Sequence, residues 1–259
     1  KSDNAITNQW VMPTTGLIRA CLILGRDKHQ AAYKLGVRNT LKTLDAQNKD
    51  GSYAEGWTYA KGWTVPALLT IGRVMARHGD RRVLDHPFLQ KIPRWLVHQF
   101  QPGTQWVQSF DNGWAVRGRK DPLTDLLSQI AVCTGNQDAR WLLAHIVGDY
   151  SNDHWGLAAG ALAVPPREPT PPLYASYDGA RAVTWRSSWN DDADGVWVRG
   201  GHPRDQHDHR DRGHVSYTHK GRPILIECGT PSYGHEAFSS HFASGAGHNI
   251  LQLGDGPMP

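Results

Sequence analysis

The densest group of reactive side chains lies at residues 207–214, which read His-Asp-His-Arg-Asp-Arg-Gly-His. Imidazole exchanges protons near neutral pH and also binds metal ions, so this segment could support acid–base chemistry, metal binding or both. Side chains two residues apart in an extended segment point to the same side, which allows His207 and His209 to face one cavity. The spacing equally permits a solvent-exposed polar loop in which the histidines cluster by chance.

A metal site needs three or four ligands, and two residues further along the chain are suited to complete one. Glu227 ends a predicted strand, and His248 follows a glycine-rich turn at 245–247. With His209 they would provide two imidazoles and a carboxylate, which is a common zinc set. A zinc hydrolase matches the sequence less well, because the helical His-Glu-x-x-His motif is missing and no glutamate beside the ligands is suited to act as the base.

Two halves of different periodicity must position these residues. In the first half, apolar residues recur at steps of three and four, as in Leu17, Cys21 and Leu24, which is typical of amphipathic helices. Glycine, asparagine, aspartate and proline divide this pattern into separate helices. The predicted helices cover residues 10–25, 28–47, 62–78, 86–100, 122–134 and 137–149.

The second half is predicted to form an antiparallel sheet, because short apolar and β-branched runs alternate there with glycine-rich turns. A stretch rich in glycine, alanine and proline precedes these runs and indicates a connection between domains. We therefore expect an α+β fold with a helical domain at 1–155, a linker at 156–172 and a sheet domain at 173–259. The predicted strands cover residues 182–185, 195–199, 214–218 and 223–227.

Composition and charge narrow the kind of partner. The chain has 259 residues, a net charge of +4 at pH 7 and 14 histidines, which favours an acidic partner. The basic residues are interspersed with acidic ones and form neither a lysine/arginine tract nor a known nucleic-acid module, so an acidic sugar is expected and nucleic acid is not. The sequence predicts no membrane span, since no apolar run approaches the roughly 18 residues that one requires. Three widely spaced cysteines argue against a disulfide framework.

Motifs in both halves resemble those of the heparinase II/III-like polysaccharide lyases. The stretch Asp50-Gly51-Ser52-Tyr53-Ala54-Glu55-Gly56-Trp57-Thr58-Tyr59 is similar to the family's Asp-Gly-x-Tyr-x-Glu-Gly-x-x-Tyr, and Asn8-Gln9-Trp10 resembles its asparagine-containing helix start. Together the motifs cover most of the chain. Those of the second half are, in the family's order, Ala182 to Trp189, Arg199-Gly200-Gly201, His207-x-His209-x-x-x-Gly213, Ile224 to Gly229 with Tyr233, and Gly247 to Leu251.

The resemblance implies a fold and an activity. The fold would be a helical (α/α) toroid segment followed by an antiparallel β-sandwich. The activity would be β-elimination in an acidic, uronate-containing polysaccharide, in which the C5 proton is removed and the glycoside at C4 is expelled. This reaction needs a base, an acid and groups that neutralise the uronate carboxylate. The resemblance assigns the base and acid work to Tyr59 and His207.

The resemblance also implies roles for other residues. Asn8 is expected among the catalytic residues as a hydrogen-bond donor to the uronate carboxylate, and Gln9 is expected beside it as a substrate-binding residue. Gln9 stands where some family members place histidine, so one charge-neutralising group differs here. Glu55 and Tyr233 are expected to bind the sugar, although Glu55 could equally serve to close the turn in which it lies.

A single structural zinc ion per chain is the cofactor that the resemblance implies, held by His209, Glu227 and His248. The family usually has aspartate where this chain has Glu227, and the carboxylate is retained. Because elimination needs no metal-bound water as a nucleophile, a closed coordination shell is compatible with activity.

The expected partner is an acidic polysaccharide or oligosaccharide, and long acidic glycans favour a periplasmic or secreted location. The family usually has more helices before the asparagine motif and more strands after the last motif, so we expect a fragment, a homo-oligomer or missing chain segments. The alternative is a non-catalytic glycan-binding protein, or an inactive fragment, of the same architecture.

Overall fold

The computed structural model describes residues 4–103, 105–107, 110, 124–147, 157–165, 170–202, 205–252 and 254. Helices fill the first half of the chain and strands most of the second, in the order that the sequence predicts. The helices are α1 (Asn8–Leu24), α2 (Gln30–Ala46), α3 (Gly56–Tyr59), α4 (Val65–Arg77), α5 (Pro87–His98), α6 (Thr124–Thr134), α7 (Gln137–Leu142) and α8 (Ala158–Ala163), with π-helical turns at Ala60–Thr64, Leu143–Val147 and Phe238–Phe242.

The helices bury their apolar faces in one common core. α1 and α2 pack closely because α2 carries Gly36 at the crossing, where an added Cβ would lie 2.8 Å from a side-chain carbon of Ile18. α4 buries Leu68, Leu69 and Met75 on one face, as expected for an amphipathic helix with a period of 3.6 residues. The four-residue helix α3 is fixed against the same core by Trp57, which is fully buried.

The second half contains a five-stranded antiparallel sheet in which each strand pairs with the next along the chain. Burial alternates along β4 and β5, so that β4 turns Ala182, Thr184 and Arg186 inward and leaves Val183 and Trp185 exposed. The strands are β3 (Tyr174–Tyr177), β4 (Ala182–Arg186), β5 (Gly195–Arg199), β6 (His214–His219) and β7 (Arg222–Leu225), and a two-stranded ribbon of β1 (Phe100–Gln101) and β2 (Gln105–Trp106) precedes them.

Buried polar contacts join the sheet to the helices. The imidazole of His98, at the end of α5, has Nε2 at 3.0 Å from the carbonyl oxygen of Pro172 and Nδ1 at 2.6 Å from the hydroxyl of Tyr177 on β3. Arg186 donates from the sheet to the carbonyl oxygen of Phe100 at 3.1 Å. His98, Tyr177 and Arg186 are buried, so each would lose its partner without water in return if the sheet moved away.

The structure confirms the predicted order of a helical half followed by an antiparallel sheet, and it differs from the prediction in several details. The described helices agree with the predicted ones to within a few residues, apart from residues 122, 123, 148 and 149, which lie outside the described residues. Helix α8 falls inside the predicted linker, and β3 was not predicted. Closure of a toroid, a second layer of the sandwich and the domain limits stay predictions. No helix in the described part of the chain is long and apolar enough to cross a membrane.

The junction gives a testable pH dependence. Burial lowers the pKa of His98 below its ordinary value. The unfolded chain therefore takes up a proton below about pH 6.5 while the folded ring resists it, so folding stability falls as the pH drops through this range. Glutamine can replace both hydrogen bonds without titrating. We expect the loss of melting temperature between about pH 7.5 and about pH 5.5 to be smaller in His98→Gln than in the unchanged chain.

The matched control is His78→Gln, since His78 is exposed at the end of α4. Its melting temperature should fall with pH as that of the unchanged chain does. An equal fall in all three proteins would show that the protonation of His98 does not contribute.

Candidate active site and metal centre

Three aromatic side chains from distant parts of the chain meet in one hydrogen-bonded group. The rings of Tyr59 and His207 are stacked, with their centroids 4.0 Å apart and their planes 14° from parallel. The hydroxyl of Tyr233 lies 2.9 Å from the hydroxyl of Tyr59 and 3.1 Å from Nδ1 of His207. A proton can therefore pass between Tyr59 and His207 through one intervening hydroxyl.

The position of Tyr59 follows from the backbone turn before α3. Gly56 begins this helix with φ of +77°, and an added Cβ would lie 2.6 Å from the ring of Phe110, so a glycine is required there. The next residue, Trp57, is fully buried and anchors the helix in the core. Tyr59 ends the helix, and its ring stacks on that of His207 from the sheet half.

His207 lies in the loop between β5 and β6 with φ of +55°, in the left-handed region. For a residue other than glycine this conformation costs roughly 1 to 2 kcal/mol, so surrounding contacts must hold it. One such contact comes from the neighbouring residue, because the backbone N–H of Gln206 donates to the carbonyl oxygen of Ala54 at 2.9 Å. The loop is thus attached to the same turn that positions Tyr59.

Glu55 lies behind the imidazole and is buried. One carboxylate oxygen is 3.4 Å from Nε2 of His207, while the other accepts hydrogen bonds from the hydroxyl of Tyr53 at 2.6 Å and from the backbone N–H of Asn8 at 2.8 Å. Burial, together with the nearby carboxylate, raises the pKa of Tyr53 well above its ordinary value, so Tyr53 remains a donor. The side chain of Glu55 is only 1% exposed, which suits it to orient His207 and leaves it no open surface for a sugar.

The asparagine motif also reaches this group. Asn8 is the first residue of α1, so its contact with Glu55 places a carboxylate at the positive end of the helix dipole, where it is favoured. Asn8 is half-buried beside the carboxylate, and Gln9 is exposed at the next position. Of the six residues predicted for catalysis and substrate binding, the described contacts thus connect five: Asn8, Glu55, Tyr59, His207 and Tyr233.

A second cluster could hold a metal ion. Ligand atoms of His214, Glu227 and His248 all lie within 4.8 Å of one another, and all three side chains are buried. Nδ1 of His248 is 2.6 Å from a carboxylate oxygen of Glu227, and its buried Nε2 has no hydrogen-bond partner among the residues that the structure describes. Buried polar atoms are nearly always paired, so metal binding would supply what this nitrogen lacks. The residues therefore fit a metal ion.

His214 was not predicted as a ligand, whereas His209 was. Burial lowers the pKa of His214 to about 4, which keeps its ring neutral, the form that binds metals. Its Nδ1 already accepts the backbone N–H of Asn249 at 3.2 Å, and this hydrogen bond would have to be given up for metal binding through the same atom. His209 is also buried, and its ring centroid lies 5.4 Å from that of His248. A predicted pairing of β6 with β7 could have identified His214 as a ligand. This pairing brings the chain that follows β7 back to the start of β6, where His214 lies.

Comparison with known proteins relates this fold to the heparinases. Residues 187–258 match the family model described as heparinase II/III-like, C-terminal. A crystal structure of heparinase III is 16% identical with a TM-score of 0.77 and covers 99% of this chain and 40% of that one. A second heparinase III structure is 14% identical with a TM-score of 0.69, and the match covers 92% of this chain and 36% of that one. The heparan sulfate lyase HepC from Pedobacter heparinus is 16% identical with a TM-score of 0.58, and the match covers 82% of this chain and 31% of that one.

At these identities the solved structures establish the fold alone, and the chain spans two-fifths or less of their lengths. No curated protein matches the chain. The match of residues 187–258 and the similarity of the fold confirm the resemblance carried by the motifs: residues 187–258 are similar to the heparinase II/III-like C-terminal region.

Proposed function

We propose that this chain is the catalytic part of a polysaccharide lyase that cleaves an acidic, uronate-containing glycan by β-elimination. The observation that carries the proposal is the hydrogen-bonded group of Tyr59, Tyr233 and His207, which joins two groups able to exchange protons through a third. The fold similarity to a heparan sulfate lyase supports the same class of reaction. A periplasmic or secreted location follows from the proposed substrate.

The reaction breaks the C5–H and C4–O bonds of the uronate and forms a double bond between C4 and C5. Tyr59 and His207 share the two proton transfers, one removing the C5 proton and the other protonating the leaving oxygen. Their rings are stacked 4.0 Å apart, so both meet the sugar from one side, which suits departure of the proton and the leaving glycoside from the same face. Asn8 and Gln9 donate hydrogen bonds to the uronate carboxylate and stabilise the charge that develops there.

Glu55 and Tyr233 act on the acid–base pair in different ways. A carboxylate beside Nε2 of His207 favours a proton on that nitrogen, which leaves Nδ1 to accept from Tyr233. Tyr233 is 60% exposed, so its hydroxyl can also reach a bound sugar. We therefore retain Tyr233 as a substrate-binding residue and assign Glu55 to the orientation of the imidazole.

We propose zinc as the metal, held by His209, Glu227 and His248. Zinc would fix the segments that follow β5 and β7 and would activate no water, since elimination requires no nucleophile. His209 is preferred to His214 because both ring nitrogens of His214 already have partners: Nδ1 accepts the amide of Asn249, and Nε2 lies 3.0 Å from the hydroxyl of Ser216.

The catalytic pair is tested by following the ultraviolet absorbance of the unsaturated product on a panel of heparan sulfate, hyaluronan and alginate. We expect Tyr59→Phe and His207→Ala each to lower kcat at least about 100-fold, because each removes a group that moves a proton in the transition state.

Matched controls are Tyr174→Phe and His219→Ala, which alter an exposed tyrosine and an exposed histidine of the sheet. Both should keep the activity of the unchanged chain. Absence of the chromophore on every glycan, with glycan binding retained, would instead support a non-catalytic binding protein.

The bridging hydroxyl is tested by Tyr233→Phe, which keeps the ring that packs edge-on against Phe238. We expect kcat to fall about 10- to 100-fold, since the hydrogen-bonded connection between Tyr59 and His207 is broken. The melting temperature should not change. A variant as active as the unchanged chain would mean that the two groups work independently of Tyr233.

The zinc ligands are tested by measuring bound zinc after dialysis. We expect about one zinc per chain, a melting temperature that a chelator lowers, and loss of zinc in His248→Ala, Glu227→Gln and His209→Ala. His214→Ala should retain zinc, as should the exposed control His219→Ala. Zinc bound by His209→Ala and lost from His214→Ala would move the third ligand to His214.

A further inference from the structure

We propose that Arg199 is a positioning residue that holds His207 against Tyr59. Arg199 is the last residue of β5, and its side chain is only 1% exposed. The consequence for catalysis rests on the proposed lyase function, whereas the consequence for the loop does not.

The guanidinium binds three carboxylates that flank His207 in the sequence. It lies 3.1 Å from Asp205 and 2.5 Å from Asp208, and it also donates to Asp211. The planar guanidinium presents several donors in fixed directions, so one arginine can fix several acceptors at once. The loop is therefore held on both sides of His207.

Removing the guanidinium would leave carboxylates without a counter-charge. The side chains of Asp205 and Asp211 are 2% and 1% exposed, and a buried carboxylate without its cation is strongly disfavoured. Asp208 is 28% exposed and also lies 3.4 Å from Arg212, so it depends less on Arg199. Without Arg199, the carboxylates of Asp205 and Asp211 would have to turn toward solvent. Because these residues flank His207 in the loop, His207 would move with them.

Arg199 also contacts the element that carries Tyr59. Its guanidinium lies 4.1 Å from the ring centroid of Phe110, and that ring packs on Gly56 at the start of α3. The backbone carbonyl of Arg199 accepts the N–H of Gly213 at 2.7 Å and closes the far end of the loop. One buried cation thus connects the loop of His207 with the helix of Tyr59.

Burial excludes a direct contact with the glycan. A side chain that is 1% exposed cannot reach a bound uronate, so its effect must pass through the geometry of the site. Arg186 offers a comparison, because it is buried on the neighbouring strand β4 but donates to the carbonyl oxygens of Phe100 and Ser188. In Arg186→Lys the contacts of His98 with Pro172 and Tyr177 still hold the sheet on the helices, so Arg186 is the matched control for loss of a buried guanidinium.

The experiment compares Arg199→Lys, Asp208→Asn and Arg186→Lys with the unchanged chain. Lysine keeps the charge but cannot bind three carboxylates in fixed directions. We expect Arg199→Lys to lower kcat about 10- to 100-fold, with KM changed less than about threefold, because a small misplacement of a catalytic group has an effect of this size. Asp208→Asn should have a smaller effect of the same kind, and Arg186→Lys should keep kcat.

The second readout is amide hydrogen exchange at residues 205–213, measured by mass spectrometry on the folded variants. Exchange should become at least about tenfold faster in Arg199→Lys and remain unchanged in Arg186→Lys. This readout applies even if the unchanged chain eliminates no glycan, so failure of the lyase function is distinguished from failure of the positioning role. A folded Arg199→Lys with unchanged loop exchange would overturn the proposal, as would equally faster exchange in Arg186→Lys.

Discussion

The docking of the sheet on the helices is the constraint on which the rest of the structure depends. Tyr59 belongs to the helical half and His207 to the sheet half, so the stacked pair exists only while the two halves keep their relative position. The junction is built from buried polar contacts, such as those of His98 with Pro172 and Tyr177. Such contacts are directional and costly to leave unpaired, and they therefore fix an orientation where apolar packing alone would permit sliding.

The site divides its work between exposed and buried groups. Tyr233 is open to solvent and can contact a substrate. Glu55 and Arg199 are buried and can act only through the residues that they contact, which are His207 for Glu55 and the loop carboxylates for Arg199. The metal cluster of His214, Glu227 and His248 joins the start of β6 to the segments that follow β7 and is suited to hold them in place. This arrangement fits elimination, which requires well-placed proton carriers and no nucleophilic water.

The sequence was informative where the signal was local. Apolar periodicity located six of the eight described α-helices and four of the five strands of the main sheet, and the motifs located Tyr59 and His207. It failed for β3, whose alternation is weak, and for contacts that only the three-dimensional fold creates. The burial of Glu55 beside His207 and the grouping of three carboxylates around Arg199 arise when separate segments of the chain come together in the fold. No local sequence pattern encodes these contacts.

The contact between Tyr59 and Tyr233 joins residues 174 positions apart, and this separation bears on the order of folding. The helices and the meander of strands form from neighbouring residues, for which the loss of chain entropy is small. The hydroxyl contact closes a loop of most of the chain and forms only after both halves have reached nearly their final shape. The proposed catalytic site is therefore completed at the last stage of folding, and a chain that has lost only this stage would keep its secondary structure without the stacked pair.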